Sequence, residues 1–240
     1  MPSTVLDIPA AERLIVALDV PEAEQARALV ERIGDAAVFY KVGMELSMAP
    51  GFYELIAWLR SHGKKVFVDL KFFDIPQTVA HAVARLCEHD VQLCTVHGNQ
   101  SMMEAAGAAK AGSLKVLAVT ALTSLDQGDM DDLGFGCNVE ELVLSRARRA
   151  LAAGCDGVVS SGLEVQRLRQ FAPRELVVVT PGIRPVANQP TGDQKRVMTP
   201  AQAIAAGADY LVVGRPVRNA EDPRAATNAI QAEIASALEN

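Results

Sequence analysis

The stretch KVFVDLKFFDIPQT, residues 65–78, carries a complete strand-to-helix turn. Its first half is apolar at successive positions rather than at alternate ones, the pattern of a parallel strand buried on both faces. The run ends in charge, at Asp69 and Lys71. Asp74 and Ile75 then precede Pro76, and proline suits the first position of a helix because its missing N–H has no intrahelical partner to lose there. Seven further runs of the same kind surround it: LIVALDV (14–20), VFYKVG (38–43), LCTVHG (93–98), KVLAVTAL (115–122), GVVSSG (157–162), LVVVTPGI (176–183) and YLVVGR (210–215). The eight starts lie about 28 residues apart on average, room for a strand, a turn, a helix and a return loop.

The segments between the runs have helical spacing. Ala23, Ala26, Leu29 and Val30 fall on one stripe, and so do Val139, Leu142, Val143, Ala147 and Leu151. Asn138, and Thr199 before Pro200, stand where N-caps belong. Gly34, Gly63, Gly112, Gly154 and Gly207 each follow a helical stretch, as glycines that end helices in left-handed backbone do. Eight βα units with no break in composition predict an α/β fold, one (β/α)8 TIM barrel, with residues 1–240 as a single catalytic domain. An open doubly wound sheet would gather its ligand residues at one switch point, often after a glycine-rich first turn. Here the first turn is Asp19-Val20-Pro21-Glu22, and polar residues close nearly every strand: Asp19, Lys41, Asp69 with Lys71, His97, Thr123, Ser160, Arg184 and Arg215. Two loops after strands are long, 123–137 and 184–198, which predicts lids over a site.

Composition limits the partners. Half of the 240 residues are hydrophobic and 22% are charged, which excludes a disordered chain. A net charge of −6 predicts no attraction for nucleic acid or for an anionic membrane. The cysteines Cys87, Cys94, Cys137 and Cys155 form no C-x-x-C pair and read as reduced thiols of a cytoplasmic protein. The first residues hold no basic segment followed by an apolar run, and no apolar stretch approaches the ~18 residues of a membrane span, so neither export nor a span is expected.

Asp69 and Lys71, two apart on a strand, point to the same face. In an isolated Asp-x-Lys the plain reading is a buried ion pair that satisfies itself. Here Asp74 follows at the next helix start and Lys41 ends the adjacent strand. Burying charges is costly before they pair, so alternating signs at one strand end argue for an assembled array. A lysine among carboxylates is favoured as the ammonium ion, a poor nucleophile but a good positioned cation and proton donor. A fixed carboxylate beside a substrate carboxylate favours any step that removes the second negative charge. The array therefore points to decarboxylation or another carbanion reaction, with Lys71 as counter-ion and proton source.

The seventh run ends in Thr180-Pro181-Gly182-Ile183-Arg184 and the eighth in Val213-Gly214-Arg215-Pro216. Glycine lets backbone N–H groups approach a ligand, arginine forks two phosphate oxygens, and barrels commonly bind phosphate after strands seven and eight. A phosphorylated substrate is expected there, with Gln194 as a neutral donor from the seventh loop. The histidines His62, His81, His89 and His97 show no H-x-H or H-E-x-x-H pattern, and no metal site is expected. His97 reads equally as a pocket residue or as one that hydrogen-bonds behind it, Ser160 and Ser161 as wall residues, and Asp126, Asp129, Asp131 and Asp132 as a solvated acidic run.

With these residues in view, Asp69-Leu70-Lys71-Phe72-Phe73-Asp74-Ile75-Pro76-Gln77-Thr78 resembles the signature of the orotidine 5′-phosphate decarboxylase family. The LDV of Asp19, the YKVG of Lys41, the TVHG of His97, the ALTS of residues 121–124, TPGIR and VGRP stand where that family has them, so the resemblance spans essentially the whole chain. It implies conversion of orotidine 5′-monophosphate to UMP and CO2, the last step of de novo pyrimidine synthesis, without metal or organic cofactor. It implies Lys71 as the proton donor to C6, Asp69 beside the departing carboxylate, and Lys41 and Asp19 on the ribose and in the charge network. Thr123 and Ser124 fall at the pyrimidine, and Gln194, Gly214 and Arg215 at the phosphate. Pro181 and Arg184 are further implied substrate contacts. The resemblance also implies a homodimer in which Asp74, Ile75 and Thr78 serve the partner's site.

Two other readings share parts of this pattern. A sugar-phosphate lyase of the same superfamily shares Asp-x-Lys-x-x-Asp, but would use the carboxylates as Mg2+ ligands and gives no reason for Ile75-Pro76-Gln77-Thr78. A non-catalytic nucleotide-binding barrel could use the two arginines, but would not need four alternating charges around Lys71.

Overall fold

The computed structural model describes residues 8–172, 176–185 and 197–239. All eight expected strands form: β1 (Leu14–Ala17), β2 (Phe39–Gly43), β3 (Lys65–Phe72), β4 (Leu93–His97), β5 (Lys115–Val119), β6 (Gly157–Val159), β7 (Val177–Thr180) and β8 (Tyr210–Val213). Neighbours in sequence pair in parallel, and β8 pairs with β1 through Leu14 and Leu211, so the sheet closes into a barrel. Helices α1 (Ala23–Ile33), α2 (Met44–Ser47), α3 (Phe52–Ser61), α4 (Pro76–Cys87), α5 (Gln100–Ala109), α6 (Gln127–Asp132), α7 (Val139–Ala152), α8 (Val165–Phe171), α9 (Pro200–Ala205), α10 (Arg215–Arg218) and α11 (Pro223–Glu239) lie between and after the strands. Among the described residues no helix is long and apolar enough to cross a membrane.

The successive apolar residues of each run have two separate destinations. Ile15, Ala17, Phe39, Phe67, Leu93, Leu117, Val177, Val179, Tyr210 and Val212 fill the barrel interior. Their neighbours Leu14, Val16, Val66, Val68, Val116, Val178 and Leu211 face the helices. Strand residues alternate between faces with period two, so the inward set 15, 17 continues to Asp19, 39 to Lys41, and 67 to Asp69. Interior packing, including the edge-on contact of Phe39 with Tyr210 at 5.7 Å between ring centroids, closes the barrel below the charges. The cavity must therefore open at the C-terminal ends of the strands.

Local signals behave as their chemistry demands. Asn138 and Thr199 each form a reciprocal capping box, with Glu141 and Gln202. Pro76 opens α4 at its first turn. Gly34, Gly63, Gly112, Gly154 and Gly207 all have positive φ, between 64° and 103°. The loop 123–137 departs from its expected form, because it contains α6. Asp126 caps α6 through the N–H of Asp129, whose carboxylate in turn accepts from the N–H of Asp126. Two of the four aspartates thus build a helix terminus instead of merely facing solvent, and Met130 is buried beneath them. Of the loop 184–198, residues 186–196 lie outside the described residues; its two ends pair, with the Arg184 N–H donating to the Met198 carbonyl at 2.8 Å.

Candidate active site

A cavity of about 470 Å3 opens at the C-terminal ends of the strands, within the usual size for a small-molecule site. Asp19, Lys41, Asp69, Lys71, Thr123, Ser160, Pro181, Arg184, Gly214 and Arg215 line it, as the sequence predicts. Val119, Ala121 and Val159 add apolar wall. Ser124 is exposed and lies off the wall, and Gln194 is outside the described residues. His97 also lies off the wall. Its Nδ1 pairs with Asn99 Oδ1 at 2.9 Å and its ring rests on Phe73. Burial and nearby Arg146 lower its pKa, against the hydrogen bond to Asn99, which raises it.

The charges form a connected line. Lys41, 8% exposed, reaches Asp19 Oδ1 at 2.8 Å and Asp69 Oδ2 at 3.7 Å. Lys71 Nζ meets the other Asp69 oxygen at 2.9 Å. Burial pushes the Asp69 carboxyl up, but Lys41, Lys71 and the hydrogen bonds from Lys71 and Thr95 outweigh it and hold the group below the ordinary aspartate range. Gly43 makes this approach possible. A Cβ there would stand 3.1 Å from Lys41 Nζ and 3.3 Å from Asp19 Oδ1, crowding the pair.

Asp69 and Lys71 do share the cavity, but not through simple strand alternation. The pairing of β3 with β4 shifts register between Val68 and Phe72, and Lys71 has φ 50°. A non-glycine residue in this left-handed region costs on the order of 1–3 kcal/mol and persists only where its surroundings enforce it. Thr95 supplies that enforcement. Its buried hydroxyl accepts from the Lys71 N–H at 2.9 Å and donates to Asp69 Oδ1 at 2.9 Å. One side chain thereby fixes both the backbone of the lysine and the carboxylate it faces. Thr95 was not singled out from the sequence. Its signal was its place two residues before His97, on the inward parity of an apolar run.

Asp74, Ile75 and Thr78 are exposed and do not line the cavity of their own chain. The Asp74 carboxylate accepts from the Ile75 N–H at 2.7 Å, at the entrance to α4. Within the chain the array is therefore Asp19, Lys41, Asp69 and Lys71, without a third carboxylate from Asp74 beside Lys71. Arg218, which the sequence reading missed, lines the cavity with Arg215. Among the described residues no three His, Cys, Asp or Glu side chains are grouped as metal ligands, and the Lys41 ammonium lies between the two carboxylates that a cation would otherwise share.

Such a site can hold an anion on its arginines while presenting an ammonium group and a carboxylate, 2.9 Å apart, to a reacting carbon. Comparison with known proteins agrees with this chemistry. Residues 12–230 match the family model described as Orotidine 5′-phosphate decarboxylase / HUMPS family. The chain is 63% identical over 227 residues to the orotidine 5′-phosphate decarboxylase of Methylococcus capsulatus (strain Bath), covering 95% of this chain and 93% of that protein. It is 52% identical over 233 residues to that of Rhodopseudomonas palustris (strain CGA009), covering 97% and 98%. Among solved structures, the orotidine 5′-phosphate decarboxylase of Lactobacillus acidophilus superposes with a TM-score of 0.81 at 36% identity, covering 93% of this chain and 99% of that one.

Proposed function

The chain belongs to the orotidine 5′-phosphate decarboxylase / HUMPS family, and from that premise we infer that it converts orotidine 5′-monophosphate to UMP and CO2, the last step of de novo pyrimidine synthesis. The observation that carries the reading is the Asp19–Lys41–Asp69–Lys71 line in a cavity whose wall also holds Arg184 and Arg215. The bond between C6 and the substrate carboxylate breaks and CO2 leaves. The electron pair left on C6 takes a proton from the Lys71 ammonium. That pair has no π-system to delocalise it, so preorganised charge must supply much of the barrier reduction. The upper end of enzymatic acceleration asks for ~20 kcal/mol, more than one ion pair can give, so binding energy from the phosphate contributes as well.

Asp69 stands beside the carboxylate that departs, and its repulsion is relieved as CO2 forms. Lys41 and Asp19 hold the ribose. Thr123, on the cavity wall, meets the pyrimidine. Gln194, Gly214 and Arg215 grip the phosphate, with Pro181 and Arg184 as further contacts. The Mg2+-dependent lyase reading requires the carboxylates as metal ligands. Asp19 and Asp69 instead share Lys41 at 2.8 and 3.7 Å, which favours the decarboxylase. Residues 1–240 act as one catalytic domain in the cytoplasm, where reduced cysteines persist. Pure protein in excess EDTA should consume orotidine 5′-monophosphate, followed by its absorbance. Absence of turnover would overturn the reading, and turnover of a sugar phosphate only with added Mg2+ would favour the lyase.

The working unit is a homodimer in which Asp74, Ile75 and Thr78 complete the partner's site. Their exposure beside Phe73, itself 63% exposed, supports this arrangement. Lys71→Ala and Asp74→Ala subunits should each be nearly inactive alone. After mixing and exchange, random pairing makes half of the dimers mixed, each with one intact site, so about a quarter of wild-type activity should return. No recovery despite verified exchange would contradict the shared site.

A further inference from the structure

Arg218 has no part in the roles assigned above, and we propose that it is a positioning residue: it holds the turn after β1 so that Asp19 stays aimed at Lys41, and ties that turn to the helical turn bearing Arg215. The inference rests on the decarboxylase reading. Helix α10 is one turn, Arg-Pro-Val-Arg, in which Pro216 and Val217 are buried. Arg215 and Arg218, three apart, therefore share its other side, and both line the cavity.

The Arg218 guanidinium is held twice. Nη1 donates to the main-chain carbonyl of Asp19, and Nε donates to Asn219 Oδ1 at 3.2 Å. A planar fork fixed at two points directs its bonds more firmly than a flexible ammonium would. The carbonyl it holds belongs to a tight turn. The Leu18 N–H donates to the Lys41 carbonyl at 2.9 Å, and the Val20 N–H turns back to the Leu18 carbonyl at 3.0 Å, leaving Asp19 at the apex. The direction of the Asp19 side chain follows the orientation of that apex. Packing does not fix it, since the side chain is 43% exposed. Rotation of the apex would carry the carboxylate away from Lys41, and Lys41 is the group that neutralises the far oxygen of Asp69. The backbone before Arg215 lies against the same residue: a Cβ on Gly214 would stand 3.6 Å from Asp19 Oδ2. Arg218 thus joins the segment that carries the phosphate grip to the first member of the charged line.

The test is a double-mutant cycle on orotidine 5′-monophosphate turnover, with melting curves for every variant. Arg218→Met, which keeps the stem but no donor, should lower kcat/KM on the order of tenfold to a hundredfold, the range for a lost hydrogen bond with a charged partner. Arg218→Lys, which retains a donor, should restore most of the loss. In an Asp19→Asn background, Arg218→Met should cost less than about threefold, because its effect runs through Asp19. Arg218→Gln, short and uncharged, serves the same cycle if Arg218→Met does not fold. Wild-type rates in Arg218→Met, or losses that multiply fully with Asp19→Asn, would overturn the proposal. An inactive wild type would instead refute the decarboxylase reading, so the two failures are distinguishable.

Discussion

Lys71→Ala is expected to lower kcat by at least about 10^4-fold, because the proton donor and the cation facing the forming carbanion leave together. The side chain stands 2.9 Å from Asp69, and its backbone is held in a left-handed conformation by Thr95. Alanine retains the N–H that bonds to Thr95, so the fold should survive and the loss should be chemical. UMP affinity, measured by calorimetry, should change far less than kcat, since an interaction made mainly in the transition state affects turnover before ground-state binding. Gln194→Ala should show the reverse pattern, a raised KM with kcat near wild type. Comparable kcat losses in the two variants would contradict the assigned roles.

Asp69→Asn should have the second-largest effect, a fall in kcat of about 10^2- to 10^3-fold. Lys41 and Lys71 share this carboxylate at 3.7 and 2.9 Å. Neutralising it leaves two ammonium groups facing each other and removes the repulsion that CO2 release relieves. Stability should change too, with a definite sign. Burial raises the Asp69 carboxyl, but the two lysines and Thr95 lower it further, so its folded value lies below the unfolded one. A depressed carboxyl stabilises the fold above the unfolded pKa and loses that contribution as pH falls through the folded value. The wild type should therefore melt above Asp69→Asn at neutral pH, by a margin that is level above about pH 5 and shrinks in more acidic solution. A margin that grows on acidification would contradict the electrostatic account.

The strands were legible because each run is short, apolar on both faces and bounded by turn signals, as a strand covered on both sides requires. Asn138, Thr199 and Pro76 were legible for a similar reason: a helix terminus is closed by groups a few residues away. The acidic run at 126–132 was misread in part, because a capping box and a solvated loop look alike until the chain turns. Lys71 was expected to point inward by strand alternation. It does reach the cavity, but through a register shift and a left-handed residue. Thr95, 24 residues later, stabilises that conformation, and nothing local to 65–78 announces it.

By itself, the sequence determined the eight βα units and the identity of most of the polar residues that line the cavity. Those follow from periodicity and from which side chains tolerate burial, both properties of short segments. Only the tertiary structure decided which carboxylate meets which lysine, that Thr95 holds both Asp69 and Lys71, and that Arg218 reaches back to Asp19. The physical reason is closure of the barrel. Pairing β8 with β1 brings residues 199 positions apart within hydrogen-bonding reach, and no pattern along the chain encodes that contact.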